Sequence, residues 1–175
     1  MMTGDEKCIK DQKEIPEEQE CKKATEKAMR LLLQQDRTYK ELKDRLYRAG
    51  YSEQAANYAM NYVMGFGYID DRRYAGNYIS YHKKTKSKKE IRYKLLNKGI
   101  EPDVLASAFE EYDTEDEYEA IRQLILKRLK GQKLSELEFE QKNKIIAYLA
   151  RKGYALPAIK RIVREQIASE SDKNL

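Results

Sequence analysis

Gly65-Phe-Gly-Tyr-Ile-Asp-Asp-Arg-Arg-Tyr-Ala75, followed by a lysine-rich run and then by Glu90-Ile-Arg-Tyr-Lys-Leu-Leu-Asn-Lys-Gly99, decides the fold of this chain. The pattern predicts a turn, a helix start, a cationic connector and a second helix that ends at glycine. The second half recurs on either side, in 41–51 and in 144–154. The glycines that end the three copies, Gly50, Gly99 and Gly153, lie 49 and then 54 residues apart. Such spacing is typical of a repeat architecture.

Capping signals support the repeat independently of the apolar pattern. Thr38-Tyr-Lys-Glu41 and Ser87-Lys-Lys-Glu90 both have the form of a capping box, in which a hydroxyl and a glutamate satisfy the first backbone amides of a helix. In the third copy Gln141 stands at the corresponding position, so we predict that the box is lost there. The aligned apolar positions are Leu42, Ile91 and Ile145, and then Leu46, Leu95 and Leu149.

Each copy carries apolar residues at helical spacing in three short segments, which predicts three helices per copy. We therefore predict an all-α protein of three tandem three-helix, helix-turn-helix-like repeats that form an elongated, curved array. The predicted parts are a disordered polar leader (1–23), repeat 1 (24–67), repeat 2 (68–113), repeat 3 (114–170) and a disordered tail (171–175). Tyr74 and Tyr78 are predicted to lie in the core, whereas Tyr93 and Tyr39 fit either the core or a base-stacking surface.

Composition narrows the class of protein further. The chain has 175 residues, 37% of them charged, no Trp and a net charge of +5. Its two cysteines, Cys8 and Cys21, lie in the polar leader and offer neither a metal-ligand spacing nor a disulfide framework. No apolar run is long enough to span a membrane, and no heptad seam is evident. We expect a cytoplasmic monomer with no membrane association.

The sequence offers little for catalysis. The single histidine, His82, stands beside lysines and is expected to face solvent. Gly65-Phe-Gly67 lacks the third glycine and the preceding strand of a phosphate loop, so it is interpreted as a turn between helices. Asp70 and Asp71 are interpreted as helix-capping residues rather than a metal pair. A nucleotide hydrolase has no supporting residues, and we predict a protein that is not an enzyme and binds no metal or cofactor.

A block of positive charge is the one feature beyond structural need. Residues 83–98 hold eight basic residues and one acid, Glu90, whereas residues 110–119 hold seven acids and no base. The basic block straddles a predicted helix start, whose free amides also attract anions. We predict that it binds an acidic partner or DNA, with less certain help from Arg72 and Arg73. Its members are Lys83, Lys84, Lys86, Lys88, Lys89, Arg92, Lys94 and Lys98.

The nine residues from Gly67 to Ala75 resemble the signature of the RecX regulatory proteins, and the repeat around them is similar as well. The signature positions, assigned structural roles, are Gly67, Tyr68, Asp70, Asp71, Tyr74 and Ala75. The resemblance covers about residues 24–168. It implies a non-enzymatic modulator of DNA repair, recombination and the SOS response. Such a protein binds the RecA–DNA filament and inhibits the ATPase, recombinase and coprotease activities of RecA.

A helix-turn-helix regulator that binds DNA directly is the alternative, because three-helix units with short turns often place a helix in the major groove. The candidate recognition helices, 52–64 and 102–111, are poor in exposed Arg, Asn and Gln, which argues against this alternative. The resemblance leaves room for weak binding of single- or double-stranded DNA beside the RecA filament.

Overall fold

The structure is a computed structural model that describes residues 17–110 and 112–172, and over these residues it contains nine α-helices and no strand. This confirms the all-α prediction. The helices follow one another in three sets of three, joined by short turns. Their bounds are α1 (Glu17–Gln34), α2 (Tyr39–Arg48), α3 (Glu53–Gly65), α4 (Asp71–His82), α5 (Lys88–Asn97), α6 (Pro102–Ala108), α7 (Thr114–Leu129), α8 (Phe139–Arg151) and α9 (Leu156–Asp172).

The predicted disordered leader is wrong over residues 17–23, which form the first turns of α1. Acidic residues stabilise this helix start through the helix dipole. One of them, Glu20, also accepts from the backbone N–H and the hydroxyl of Ser52, at 2.8 and 2.6 Å. Residues 171–172 of the predicted tail likewise continue α9. Residues 1–16 and 173–175, the rest of the predicted leader and tail, lie outside the described residues.

The described chain divides into two compact units. The first contains residues 17–35 and 42–68, and its core lies between α1 and α3. Small side chains, among them Ala24, Ala28, Ala55 and Ala59, are fully buried and let these two helices approach closely. Leu42 and Leu46 of α2 and Met60 of α3 fill the remaining core. Burial of these aliphatic side chains supplies most of the stability of so thin a unit.

The second unit contains residues 36–41 together with the described residues from 69 onwards. It has two apolar clusters, one inside α4–α6 and one inside α7–α9. Ile91 and Leu95 are fully buried in the first cluster, with Tyr74 and Tyr78 packed against it as predicted. Ile121, Ile125 and Leu149 are buried in the second. Each three-helix set in this unit therefore has its own core.

The predicted loss of the third capping box is wrong. Glu138 and Gln141 form a capping box at the start of α8, and the Glu138 backbone N–H donates to the Gln141 side-chain oxygen at 3.2 Å. The reason is helix length, because α8 has 13 residues whereas α2 and α5 have 10. The helix begins one turn earlier than the alignment on Gly153 implied, so Gln141 takes the place of Glu41 and Glu90.

A helix start rests on the glycine that ends another helix at two places in the second unit. An added Cβ at Gly99 would lie 2.5 Å from Lys40 Cβ, and one at Gly153 would lie 2.8 Å from Ser87 Oγ. Both glycines have a positive φ, 84° and 93°, which closes the helix end in the left-handed conformation. The same register brings the first turn of α5 beside the last turn of α8.

Candidate partner-binding surface

Helix α5 carries the centre of the predicted basic block. Ser87 caps it, since its hydroxyl accepts from the backbone N–H of Glu90 at 3.1 Å. With Ile91 and Leu95 turned into the core, the remaining positions of the helix face outward. Lys89, Arg92 and Tyr93 are exposed and share one side, because residues three and four apart are neighbours on a helix.

Two lysines of the block are held in ion pairs. Lys83 Nζ lies 2.7 Å from a carboxylate oxygen of Asp116. Lys98 Nζ lies 2.6 Å from Glu41, and it also sits 5.4 Å from the centre of the Tyr74 ring. All of these side chains are partly shielded from water, which strengthens the attraction relative to a fully exposed pair. The charges of Lys83 and Lys98 are therefore largely compensated within the protein.

Two further lysines lie over aromatic rings. Lys86 Nζ is 5.4 Å from the centre of the Tyr78 ring and donates to its hydroxyl at 3.3 Å. Lys88 Nζ lies 5.3 Å from the ring of Phe109 and 5.1 Å from that of Tyr112. Such cation–π contacts hold the long side chains in place while leaving part of their charge accessible.

Acidic residues beside the block belong to this packing. Asp116 pairs with Lys83, as described above, and the Glu117 carboxylate accepts from the backbone N–H of Lys88. Burial raises the pKa of Glu117 above its usual value, although this hydrogen bond acts in the opposite direction. The attraction of Lys84 lowers the pKa of Glu119 further along α7, where Gln123 is the first cause. Part of the acidic segment thus neutralises the basic one.

The remaining cations are exposed and have no carboxylate within ion-pair distance among the described residues. We call them the unpaired cations: Arg72, Lys89, Arg92 and Lys94. Three of the four lie on α5, and the fourth lies in the first turn of α4. Arg73, its neighbour, is also exposed, and its backbone N–H donates to the Asp70 cap at 2.9 Å. Charge available to a partner is therefore concentrated on α5.

A cleft of about 410 Å³ opens where the first turn of α5 meets the last turn of α8. Cations stand on both sides of it, with Lys89 on α5 facing Arg151 and Lys152 at the end of α8. The exposed ring of Tyr93 also lines it. The complete lining is Lys89, Glu90, Tyr93, Ala150, Arg151, Lys152 and Gly153.

Arg151 and Lys152 were missed as site residues by sequence reasoning. They precede Gly153 in the repeat, at positions compared there only for apolar character. The available signal was the repeat register itself, since Lys98 precedes Gly99 in the same way. Their membership of the basic surface depends on the contact between α5 and α8, which sequence separation conceals.

The signature residues have structural roles, each within its own unit. In the first unit Gly67 has a φ of 68°, which favours glycine, and Tyr68 is exposed. In the second unit Asp70 caps α4 and Ala75 is fully buried. The Asp71 carboxylate accepts from the backbone N–H of Tyr39 at 2.9 Å, and burial raises its pKa.

The helices that would read a DNA groove are unsuited to it. The exposed positions of α3 carry no Lys or Arg, and Glu53 lies in its first turn. The short α6 begins with Pro102 and Asp103 and likewise has no basic residue. Phosphate contacts require cations beside a recognition helix, so neither helix provides a base-reading face.

Other kinds of site were sought in the same residues. Within 17–110 and 112–172 no three His, Cys, Asp or Glu side chains lie close enough to share a metal ion. His82 is half-buried rather than solvent-facing, with its ring 4.3 Å from Tyr78 and 4.9 Å from Tyr81. None of the described helices combines the length and the apolar character that a bilayer-spanning segment needs.

Comparison with known proteins matches the three helix sets one by one. Residues 24–62 match the first three-helix domain of RecX, residues 70–108 the second and residues 115–163 the third. The chain is 30% identical over 149 residues to regulatory protein RecX of Clostridium botulinum (strain Eklund 17B / Type B), covering 85% of this chain and 70% of that protein. It is also 30% identical over 159 residues to regulatory protein RecX of Clostridium perfringens (strain 13 / Type A), covering 90% and 75%.

A solved structure agrees with the sequence comparison. The crystal structure of RecX from Lactobacillus salivarius matches with a TM-score of 0.76 at 26% identity, over 85% of this chain and 97% of that one. Three consecutive domain matches, relatives of this similarity and a common fold point to one conclusion, which confirms the sequence resemblance. This chain belongs to the RecX family of regulatory proteins.

Proposed function

We propose that this protein is a non-enzymatic regulator that binds the RecA–DNA nucleoprotein filament and inhibits the ATPase, recombinase and coprotease activities of RecA. The observation that supports this most is the match of all three domains to RecX, whose curated relatives are named as regulatory proteins. We expect it to act in the cytoplasm, where it would modulate DNA repair, recombination and the SOS response.

The charge distribution supports a filament partner. A nucleoprotein filament presents both protein carboxylates and DNA phosphates, and the unpaired cations of α5 can meet either. Charged groups at the rim of an interface mainly raise the association rate and fix the orientation of the partner. Lys83 and Lys98 are already paired within the protein, so we assign the contact to Lys89, Arg92 and Lys94 rather than to the whole predicted block.

The test is the ATPase activity of RecA on single-stranded DNA, measured as this protein is titrated in. A gel shift with the same DNA, without RecA, is run at the same concentrations. Inhibition at concentrations that do not shift free DNA supports filament binding. Full ATPase activity at every concentration, or inhibition only where the protein coats free DNA, contradicts it. Tight binding to one duplex sequence would instead favour the helix-turn-helix alternative.

A further inference from the structure

We propose that the cleft between α5 and the end of α8 binds a short segment of single-stranded nucleic acid, with one base stacked on the Tyr93 ring. Lys89, Arg151 and Lys152 would hold the flanking phosphates. The inference deepens the proposed function, on which it rests for its biological setting, by giving one surface a defined ligand.

The charge of the cleft is the first observation behind this inference. Lys89 and Arg151 have no ion pair among the described residues, and Lys152 contacts only the Tyr148 ring, at 5.8 Å. Glu90 is the one acid in the lining, so three cations outnumber it. The first backbone amides of α5 lie in the same region and add to the attraction for anions. The cleft thus has the electrostatic character of a phosphate-binding groove.

The second observation is the position of Tyr93. Its ring is 62% exposed, although a tyrosine on a core-packed helix can normally cover its ring. It stands one helical turn after Lys89 and lines the same cleft. Exposed aromatic rings in a cationic groove are the usual platform for the bases of a single strand, since every base has a flat face.

The size of the cleft selects among anionic ligands. About 410 Å³ accommodates roughly one nucleotide and is far too small for a duplex, whose width is about 20 Å. In a duplex the base faces are stacked on one another and are not available to Tyr93. An acidic peptide would satisfy the cations but would leave the ring without a flat partner. Single-stranded nucleic acid is the ligand that uses every part of the lining.

The test measures fluorescence anisotropy of a labelled 15-nucleotide oligothymidylate with the full chain and no recombinase. We expect Tyr93→Ala to weaken binding by about 5- to 150-fold, the usual range for loss of one base-stacking contact, and Tyr93→Phe to retain it. Tyr81→Ala is the matched control, because Tyr81 is 82% exposed and lies on α4 outside the cleft. Circular dichroism verifies that each variant folds. Equal binding by the Tyr93→Ala and Tyr81→Ala variants would overturn the proposal.

A salt titration of the same complex tests the phosphate contacts. Arg151→Gln should reduce the slope of log affinity against log salt by about 0.7, the contribution of one phosphate contact on a single strand. Lys144→Gln removes one positive charge from the exposed face of the same helix, outside the cleft, and should leave the slope unchanged. Equal slopes for the two variants would contradict the assignment, as would displacement of the oligonucleotide by a decaglutamate peptide at matching charge concentration.

The two proposals fail separately. If the Tyr93→Ala and Tyr81→Ala variants bind the oligonucleotide equally while the protein still inhibits the recombinase, the cleft proposal alone is wrong. If binding depends on Tyr93 while the ATPase activity is untouched, the cleft stands and the regulatory proposal is wrong.

Discussion

Ser87 Oγ donates a 2.8 Å hydrogen bond to the carbonyl oxygen of Lys152, 65 residues further along the chain. The same hydroxyl accepts from the backbone N–H of Glu90, so it starts one helix and closes the end of another. Thr38 makes the same two bonds, to the Lys98 carbonyl at 2.6 Å and from the Glu41 N–H at 3.2 Å. A hydroxyl suits this position because it donates and accepts at once.

Replacing Ser87 with alanine should destabilise the protein by about 1–3 kcal/mol, because it removes a helix cap and leaves a buried carbonyl without its donor. Thr38→Ala should cost a similar amount, and Thr38→Ser much less. Midpoints and slopes of urea unfolding measure these changes. Ser80→Ala, on the exposed side of α4, is the control and should change the free energy of unfolding by less than about 0.5 kcal/mol. A Ser87→Ala variant as stable as this control would refute the double role.

The three repeat glycines form a graded series. All have a φ between 84° and 93°, so alanine at any of them incurs the backbone strain of about 1–3 kcal/mol. At Gly50 no described atom lies within 4 Å of the added Cβ, whereas at Gly99 and Gly153 the start of another helix is in the way.

We therefore expect Gly50→Ala to be the mildest of the three substitutions and Gly99→Ala the most destabilising. Thermal unfolding of the three single variants ranks them directly. Indistinguishable melting temperatures would show that the glycines serve backbone conformation alone and not the close contact between helices.

Paired and unpaired lysines should respond differently to charge reversal. Lys83→Glu places a second carboxylate beside the half-buried Asp116 and should destabilise the protein by about 1 kcal/mol or more. Lys94→Glu, on the exposed side of α5, should change stability by less than about 0.5 kcal/mol. Urea unfolding of both variants at low and high salt is the measurement. If Lys94→Glu proves as costly as Lys83→Glu, the division between structural and available cations is wrong.

Two tyrosines make the protein sensitive to alkali. The hydroxyls of Tyr112 and Tyr154 are buried with no hydrogen-bond partner among the described residues, and burial raises the pKa of both above the ordinary 10.0. Above pH 10 the unfolded chain releases these protons while the folded chain retains them. Stability should therefore be unaffected by these groups below that value and fall as the pH rises past it.

The double variant Tyr112→Phe, Tyr154→Phe should lose less stability than the natural chain between pH 9 and pH 11, and at neutral pH it should be at least as stable, because the buried hydroxyls are unpaired. Urea unfolding across this range tests both statements. Parallel curves for the two proteins would show that other groups control the alkaline loss.

The repeat and its caps could be read from the sequence because both depend on neighbours within one helical turn. Ile91 and Leu95 face the core as their spacing predicted, and Ser87 caps α5 as its motif predicted. The third capping box was misplaced because an alignment on Gly153 cannot show that α8 is longer by a turn.

The candidate site could be predicted only as a charged segment. Which of its lysines are compensated depends on Asp116 and Glu41, which only the fold brings to them. The cleft depends on a contact between α5 and α8, so Arg151 carried no local signal. The start of α1 was missed because Glu20 is stabilised by Ser52, a partner 32 residues away.

The most direct test of the account is inhibition of the single-stranded-DNA-dependent ATPase of RecA by the natural chain and by the Lys89→Glu, Arg92→Glu variant, with Lys144→Glu as the control. The account predicts that the natural chain and the control inhibit equally. It predicts that the double variant, folded by circular dichroism, needs a concentration about tenfold higher or more, which corresponds to about 1.4 kcal/mol of lost binding. Equal inhibition by all three proteins, or no inhibition by the natural chain, would contradict it.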